Sequence, residues 1–232
     1  MELSTDTHIL WQGHGVTINT TLVSSWMVML VLVLCSWLVT RRLVVTGPKP
    51  FWQNALEIVV CAIRDTIKEI WPEEPERFVP FVGTLFLYIS SSSLLGIIPG
   101  FSAPIGSLST TAALAACVFA AVPAYGISYR GLKGYLSSYF KPTPLMFPFH
   151  IIGEVSRTVA LAVRLFGNMM SGLVLVGVLL VVAPLFFPVL VNALGLLVGQ
   201  IQAYIFAVLA TVYIAAAAQS HDQISKSSKG QK

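Results

Sequence analysis

Apolar residues run in long, nearly unbroken stretches along this chain, and the charges gather between them. Five stretches stand out: Thr21–Val39 ("TLVSSWMVMLVLVLCSWLV"), Phe78–Pro99, Ser109–Tyr129, a fourth between Pro144 and Pro184, and a fifth from about Val189 to Gln219. Each approaches or exceeds the ~20 apolar residues that carry a helix across hydrocarbon. Pro123 predicts a kink in the third. The fourth holds about 40 residues, ~60 Å if helical throughout, against ~30 Å of hydrocarbon. It must tilt steeply, kink or leave the membrane partway, and the fifth, at about 30 residues, has the same problem to a lesser degree. Joined by "APLFFPV", the two predict a strongly inclined hairpin.

One segment has a different rhythm. In "FWQNALEIVVCAIRDTIKEIW", Phe51–Trp71, the residues Trp52, Ala55, Leu56, Val59, Val60, Ile63, Ile67 and Ile70 recur at three- and four-residue steps. Gln53, Glu57, Arg64, Asp65, Lys68 and Glu69 occupy the other face. This is an amphipathic helix, expected to lie flat on the cytoplasmic membrane surface. "WPEEPERF" then breaks the chain before the second crossing. The expected architecture is therefore an all-α polytopic membrane protein with about five crossings plus this interfacial helix. It forms a single membrane domain over residues 1–232, with an external segment 1–20, the interfacial helix 51–71, the hairpin 144–219 and a cytoplasmic tail 220–232.

Composition agrees: 56% of residues are hydrophobic and 10% charged, where a soluble domain carries about 25% charged residues. The N-terminus has no basic region and the first apolar run is too long for a signal core, so it reads as a retained segment. Arg41, Arg42 and Lys49 follow the first span, Arg130, Lys133 and Lys141 the third, and Lys226, Lys229 and Lys232 the fifth. The opposite loops contain no Lys or Arg, which puts the N-terminus outside and the C-terminus in the cytoplasm. The net charge of +4 is carried by loops and tail and gives no reason to expect nucleic acid. Cys35, Cys61 and Cys117 form no CxxC pair, so packing is their expected role. There is no GxxxxGK[ST], HExxH or nucleophile constellation, and no internal repeat of the transporter kind. We expect no catalytic residue, cofactor or metal: alone, the chain catalyses no covalent reaction.

The chemistry that remains is a few polar residues inside apolar helices. "SRTVALAVRLFGNMMSG", Ser156–Gly172, holds Arg157, Arg164 and Asn168, and an arginine at mid-bilayer costs at least ~3 kcal/mol. Stepping by threes and fours gives Glu154, Arg157, Leu161, Arg164, Asn168 and Ser171 or Gly172 on one face. The fifth helix has its own line: Asn192, Gly195, Gly199, Gln202, Phe206, Tyr213 and Ala217. Its glycines allow close helix approach, and Gln202 and Tyr213 supply hydrogen-bonding groups at different depths. Ser156, Thr158, Ser171 and the run Ser90–Ser93 read as interhelical glue or as bonded to their own backbone. Asn168 and Gln202 fit glue or a polar path equally. Arg157 and Glu154, at i and i+3, can neutralise each other.

Arg164 fits neither description. No acid lies within a turn of it, and the fifth helix contains no carboxylate. Its counter-charge is expected on another polypeptide. A lipid-facing acid there is kept protonated by burial, at a pKa of about 8–9. At ~4 Å and an effective dielectric of ~20, a guanidinium attracts the ionised form by about 4 kcal/mol. That is roughly three pKa units, enough to expel the proton at neutral pH. The same charge repels a cation that would slip past, and arginine holds it even when desolvated.

At these residues the chain resembles subunit a of the F-type ATP synthase membrane sector, the ATPase A chain family. "RLFGN", Arg164–Asn168, matches that family's central signature, and "GEVSR" before it resembles the family's approach to it. "IQAYIF" with Gln202 and "TVYIA" with Tyr213 match its final helix, and "SLLGIIPGFSAPIGSLSTT", Ser93–Thr111, matches a third segment with Ser93 where Asn is usual. The resemblance spans about residues 78–219. It implies a static, non-catalytic subunit of a bacterial plasma (inner) membrane complex, beside a rotating ring of c subunits, with b-type peripheral stalk subunits and the other synthase subunits as partners. Two offset half-channels would carry H⁺ or Na⁺ to and from the ring carboxylates, coupling ion flow to ATP synthesis or hydrolysis. The ion-translocating set would be Arg164, Asn168, Gln202, Tyr213, Asn192, Ser171, Glu154 and Arg157. Many members carry an acid or histidine nine places after the signature arginine and a partner on the last helix; here these positions are Leu173 and Gly195. Water held by Asn168, Ser171, Asn192 and Gln202 is the expected carrier instead. A stand-alone channel or secondary transporter would need acids within this chain to pair the arginine. A membrane scaffold with an incidental arginine would lose no ion-coupled activity when Arg164 changes.

Overall fold

The computed structural model describes residues 9–13, 16–41, 51–72, 74–98, 101, 103–140, 147–182 and 187–219. Arg42, Lys49, Lys141, the connection 183–186 and the tail 220–232 lie outside them, as do parts of the N-terminal segment. The regular elements from Thr20 onward are all helical. Ahead of them sits a small antiparallel hairpin, β1 (Ile9–Gly13) and β2 (Val16–Asn19), pairing Trp11 with Ile18 and Gly13 with Val16. Nothing in the hydropathy pattern predicts it.

Helix α1 (Thr20–Thr40) carries no charge, and only one stripe of it is covered. Thr21, Ser24, Ser25 and Val28 are buried, while Trp26, Leu30, Val33 and Trp37 face outward as a lipid-facing surface requires. Helix α2 (Phe51–Ile70) is the amphipathic segment, with Ile67 buried and its charged side exposed. A 3₁₀ turn, Pro75–Arg77, leads into α3 (Val79–Leu95). Helix α4 covers Leu108–Phe140, α5 Phe147–Val182 and α6 Phe187–Gln219.

Among the described residues, four helices are long and apolar enough to cross a membrane: Thr20–Thr40, Leu108–Tyr129, Pro148–Val182 and Phe187–Ala218. The fifth apolar helix, Val79–Leu95, is shorter at 17 residues, the lower end of the ~17–25 that span hydrocarbon. Helices α5 and α6 hold 36 and 33 residues, ~54 and ~50 Å of rise against ~30 Å of hydrocarbon. They pack on each other, with residues 168–176 facing 191–198 in antiparallel order. Pro123 lies inside α4, and a break that the sequence pattern does not predict falls at Gly131, where φ is 70°. A proline removes one hydrogen bond but keeps a helical φ, whereas glycine alone enters the left-handed region without strain.

Two apolar clusters hold the bundle. One joins α1, α3, α4, α5 and α6 through Val28, Ile89, Val118, Leu161, Leu165 and Phe206. The other sits where α2 meets α3, α4 and α6, built on Ile67, Trp71, Phe78, Val82, Val122 and Ile214. Polar bonds pin both. Ser25 and the Tyr88 hydroxyl are 2.9 Å apart and buried, tying α1 to α3. At the second cluster Arg77 lies over the Tyr129 ring, 4.7 Å from its centroid, and donates to Ser128 Oγ. Tyr129 donates to Glu74 at 3.1 Å, and Arg64 pairs with Glu76 at 2.5 Å.

Candidate ion-translocation face

Because α5 is apolar on nearly every side, its rotation is set by whichever residues find partners inside the bundle. Leu161, Ala162 and Leu165 do, and are buried. That turns a different strip outward: Arg157, Ala160, Arg164, Gly167 and Ser171, spaced by threes and fours, with Gly153 half-buried at its N-terminal end. The single polar face expected from spacing is therefore split. Arg157, Arg164 and Ser171 point out of the chain, Leu161 points into the core, and Glu154, Asn168 and Gly172 lie at the boundary, half-buried.

Arg164 is exposed, with no hydrogen bond, ion pair or ring contact among the described residues. Arg157 lies 5.5 Å from the centroid of the Tyr213 ring, a cation–π contact between α5 and α6 that spacing along one helix does not reveal. At Gly153 and Gly167, apart from their chain neighbours and their own helix's backbone, no atom of the described residues lies within 4 Å of where a Cβ would sit.

On α6 the expected line is largely inward. Gly199, Gln202 and Phe206 are buried, Tyr213 and Ala217 half-buried, and Asn192 and Gly195 exposed near the hairpin connection. Gly199 is a true close approach: a Cβ there would stand 2.0 Å from Ser93 Oγ and 3.1 Å from Ser93 Cβ. Gly195 has no such neighbour. Gln202 is 7% exposed, and its Nε2 is buried without a hydrogen-bond partner among the described residues. The glutamine that bonds across helices is Gln200. Its Oε1 accepts from Ser90 Oγ at 2.5 Å and its Nε2 donates to the Ser90 carbonyl at 3.2 Å. Ser90 is thus glue, as expected, while Ser171 and Thr158 bond their own helix at Asn168 O and Glu154 O.

Near the connected end of the hairpin lies a cavity of about 420 Å³ between α5, α6, the end of α3 and the turn before α4. Asn168, Ser171 and Asn192 line it, three of the four residues expected to hold water; Gln202 does not. Ser93, Leu173 and Gly195 complete its polar and open parts, and no lining residue is titratable. Toward the buried Gln202 it closes where Ser93 meets Gly199, with Met169 Cε 3.8 Å from the Gly199 Cβ position. A cavity of this size with amides and hydroxyls on its walls offers water the two to four partners it needs.

Such an arrangement defines a class: an integral membrane protein with a long antiparallel helix hairpin, an outward arginine with no partner among the described residues, and a neutral polar cavity that begins one turn away at Asn168. The sequence model of the ATP synthase A chain family matches residues 22–215. ATP synthase subunit a 2 of Acaryochloris marina is 56% identical over 219 residues, covering 94% of each chain. ATP synthase subunit a 2 of Picosynechococcus sp. is 57% identical over 218 residues, again covering 94% of each. ATP synthase subunit a 1 of Chlorobaculum parvum is 54% identical over 223 residues, covering 96% of this chain and 99% of its own. The chain belongs to the ATP synthase A chain family.

Proposed function

We propose that this chain is the stator subunit of a rotary F-type ATP synthase, conducting H⁺ or Na⁺ between the membrane's two sides and the carboxylates of a c-subunit ring. The observation that carries this is Arg164, exposed on a membrane-spanning helix with no partner among the described residues. A guanidinium facing bare hydrocarbon would be costly, so the exposed face calls for an acidic partner chain. The strip around it supports close contact. Gly153 and Gly167 lower helix propensity by about 1 kcal/mol each relative to alanine, and no neighbour among the described residues requires them. A ring of helices sliding past requires them.

In this reading the ion enters from the outer face through the cavity lined by Asn168, Ser171 and Asn192 and reaches a ring carboxylate beside Arg164. On the other side of Arg164 the path runs past Arg157, Glu154 and Tyr213 to the cytoplasm. The guanidinium attracts each arriving carboxylate by about 4 kcal/mol at ~4 Å, displacing its ion, and its charge bars a direct leak between the two paths. The subunit forms no covalent intermediate. It works with the c ring, the b-type peripheral stalk and the other synthase subunits in a bacterial plasma membrane, N-terminus outside and C-terminus in the cytoplasm. Neutral lining leaves H⁺ and Na⁺ equally compatible with this chain.

The test is Arg164→Ala in the assembled complex. ATP-driven ion pumping into vesicles falls to background, while the detached soluble head hydrolyses ATP at the wild-type rate. Pumping that persists above background sinks the reading.

A further inference from the structure

A second cavity lies away from this face, where α2 crosses α3 and α6. It measures about 180 Å³ and is walled by Val59, Ala62 and Ile67 on α2, Phe86 on α3, and Val208 and Thr211 on α6. Its two threonines present no hydroxyl to it. Thr66 Oγ1 bonds Ala62 O and Thr211 Oγ1 bonds Ala207 O, each at 2.9 Å. The surface offered is therefore almost wholly methyl, methylene and ring carbon. Water entering a cavity needs two to four polar partners, and an apolar cavity of ~150 Å³ stays dry and takes up a benzene-sized guest. This space selects against water and for hydrocarbon.

Its position says which hydrocarbon. On an α-helix, Glu57, Arg64 and Lys68 project from the side of α2 opposite Val59, Ala62 and Thr66, and all three are exposed. With the charged side in water, the cavity faces the bilayer interior, and Ile58, 61% exposed, and Tyr204, 52% exposed, stand at its open side. Its volume of about 180 Å³ is far too small for a helix ~10 Å across and suits part of a single alkyl chain. We propose that this cavity binds the hydrocarbon tail of a bilayer lipid, wedged between the interfacial helix and α6. No cationic side chain lines it, so the tail is recognised and the headgroup is not. The inference rests on the cavity and on the amphipathic placing of α2, and is independent of the role given to Arg164.

The assembled complex is reconstituted into vesicles of phosphatidylcholine or of phosphatidylglycerol, each carrying a diazirine near the end of one acyl chain. After illumination, adducts concentrate on residues 58–67 and 204–211 by about tenfold over the outward face of α1, the ratio that ~1.4 kcal/mol of preference gives. Both headgroups label alike. Ala62→Phe fills the cavity and returns labelling to the α1 level, while Thr66→Val, which conserves shape, leaves it unchanged. Val208→Phe, from the opposite wall, serves if Ala62→Phe does not assemble. Labelling no denser than on α1, labelling unmoved by the filling variants, dependence on headgroup, or a cross-link from this wall to another protein chain each overturns the proposal.

Discussion

Two arginines in this molecule have opposite surroundings. Arg77, in the turn before α3, is surrounded by partners. It stacks over Tyr129 and donates to Ser128, and its carbonyl accepts from Tyr125 at 3.5 Å. Around it Trp71, Phe78, Tyr125 and Tyr129 pack with ring centroids 5.2–6.1 Å apart. Arg164 has none of this among the described residues, and the glycines beside it face open space. An arginine that holds a fold collects its donors' acceptors from the same chain. One that acts on a partner keeps its donors available and leaves room for that partner. The difference separates a junction built for stability from a face built for traffic.

Replacing each arginine with lysine sharpens the contrast most. Arg164→Lys keeps the formal charge but substitutes a compact ammonium that sheds its proton when desolvated. Coupled ion transport in vesicles falls by about two orders of magnitude, the rate equivalent of losing ~2.7 of the ~4 kcal/mol of attraction, with assembly intact. Arg77→Lys loses stacking and a fixed hydrogen bond, about 1 kcal/mol of stability, and coupling stays at the wild-type level. Equal effects of the two on transport, or a silent Arg164→Lys, would erase the distinction.

How much of that contrast could be read beforehand depended on whether the deciding partner lay in the same helix. Long apolar runs and the α2 periodicity mark α1, α2, α3, α5 and α6 within a few residues, because hydrocarbon thickness and the 3.6-residue repeat act locally; α4 runs on past the predicted Tyr129 to Phe140, beyond the break at Gly131. Arg164 stands out in sequence because its lack of a neighbouring acid is also local. The rotation of α5 is different: Leu161 shares a helical face with Arg164 by spacing, and only the packing of Leu161 and Leu165 in the core turns Arg164 outward. The same limit hides Gln200. Its bonds to Ser90 join positions 110 apart, and nothing within α6 says that position 200, rather than 202, faces the serine run. Tyr213 under Arg157 is likewise a contact between helices. The β1–β2 hairpin is too short to leave a hydropathy signature, and Gly131 needed a dihedral angle to distinguish it from any other loop-proximal glycine.

A smaller effect tests the boundary between the packed and open regions, at Gly199. A methyl there would overlap Ser93 Oγ, and overpacking of this kind costs about 1–3 kcal/mol. Gly199→Ala lowers the thermal stability of the purified complex. Removing the hydroxyl with Ser93→Ala recovers part of the loss, since the two substitutions share one contact and are not additive. Strict additivity would mean that α3 and α6 do not meet there.

The smallest effect is expected at Asn192, on the open side. Its amide lines the cavity from α6, opposite Asn168 and Ser171 on α5, and a water there needs partners on more than one wall. Asn192→Leu fills the space with carbon of similar volume and removes one wall's hydrogen bonds. Transport falls several-fold without a change in stability, because Asn192 is exposed and exposed substitutions usually cost less than about 0.5 kcal/mol. Asn192→Ser, which keeps a hydroxyl on that wall, restores most of the rate. Gly195→Leu, one turn further along and lining the same cavity without a polar group, gives the contrast: it slows transport by occlusion, and no small polar substitution at Asn192 rescues it. Unchanged transport in Asn192→Leu would mean that ions do not pass this wall, and the open side of the hairpin would then owe its cavity to the ring's clearance rather than to a water path.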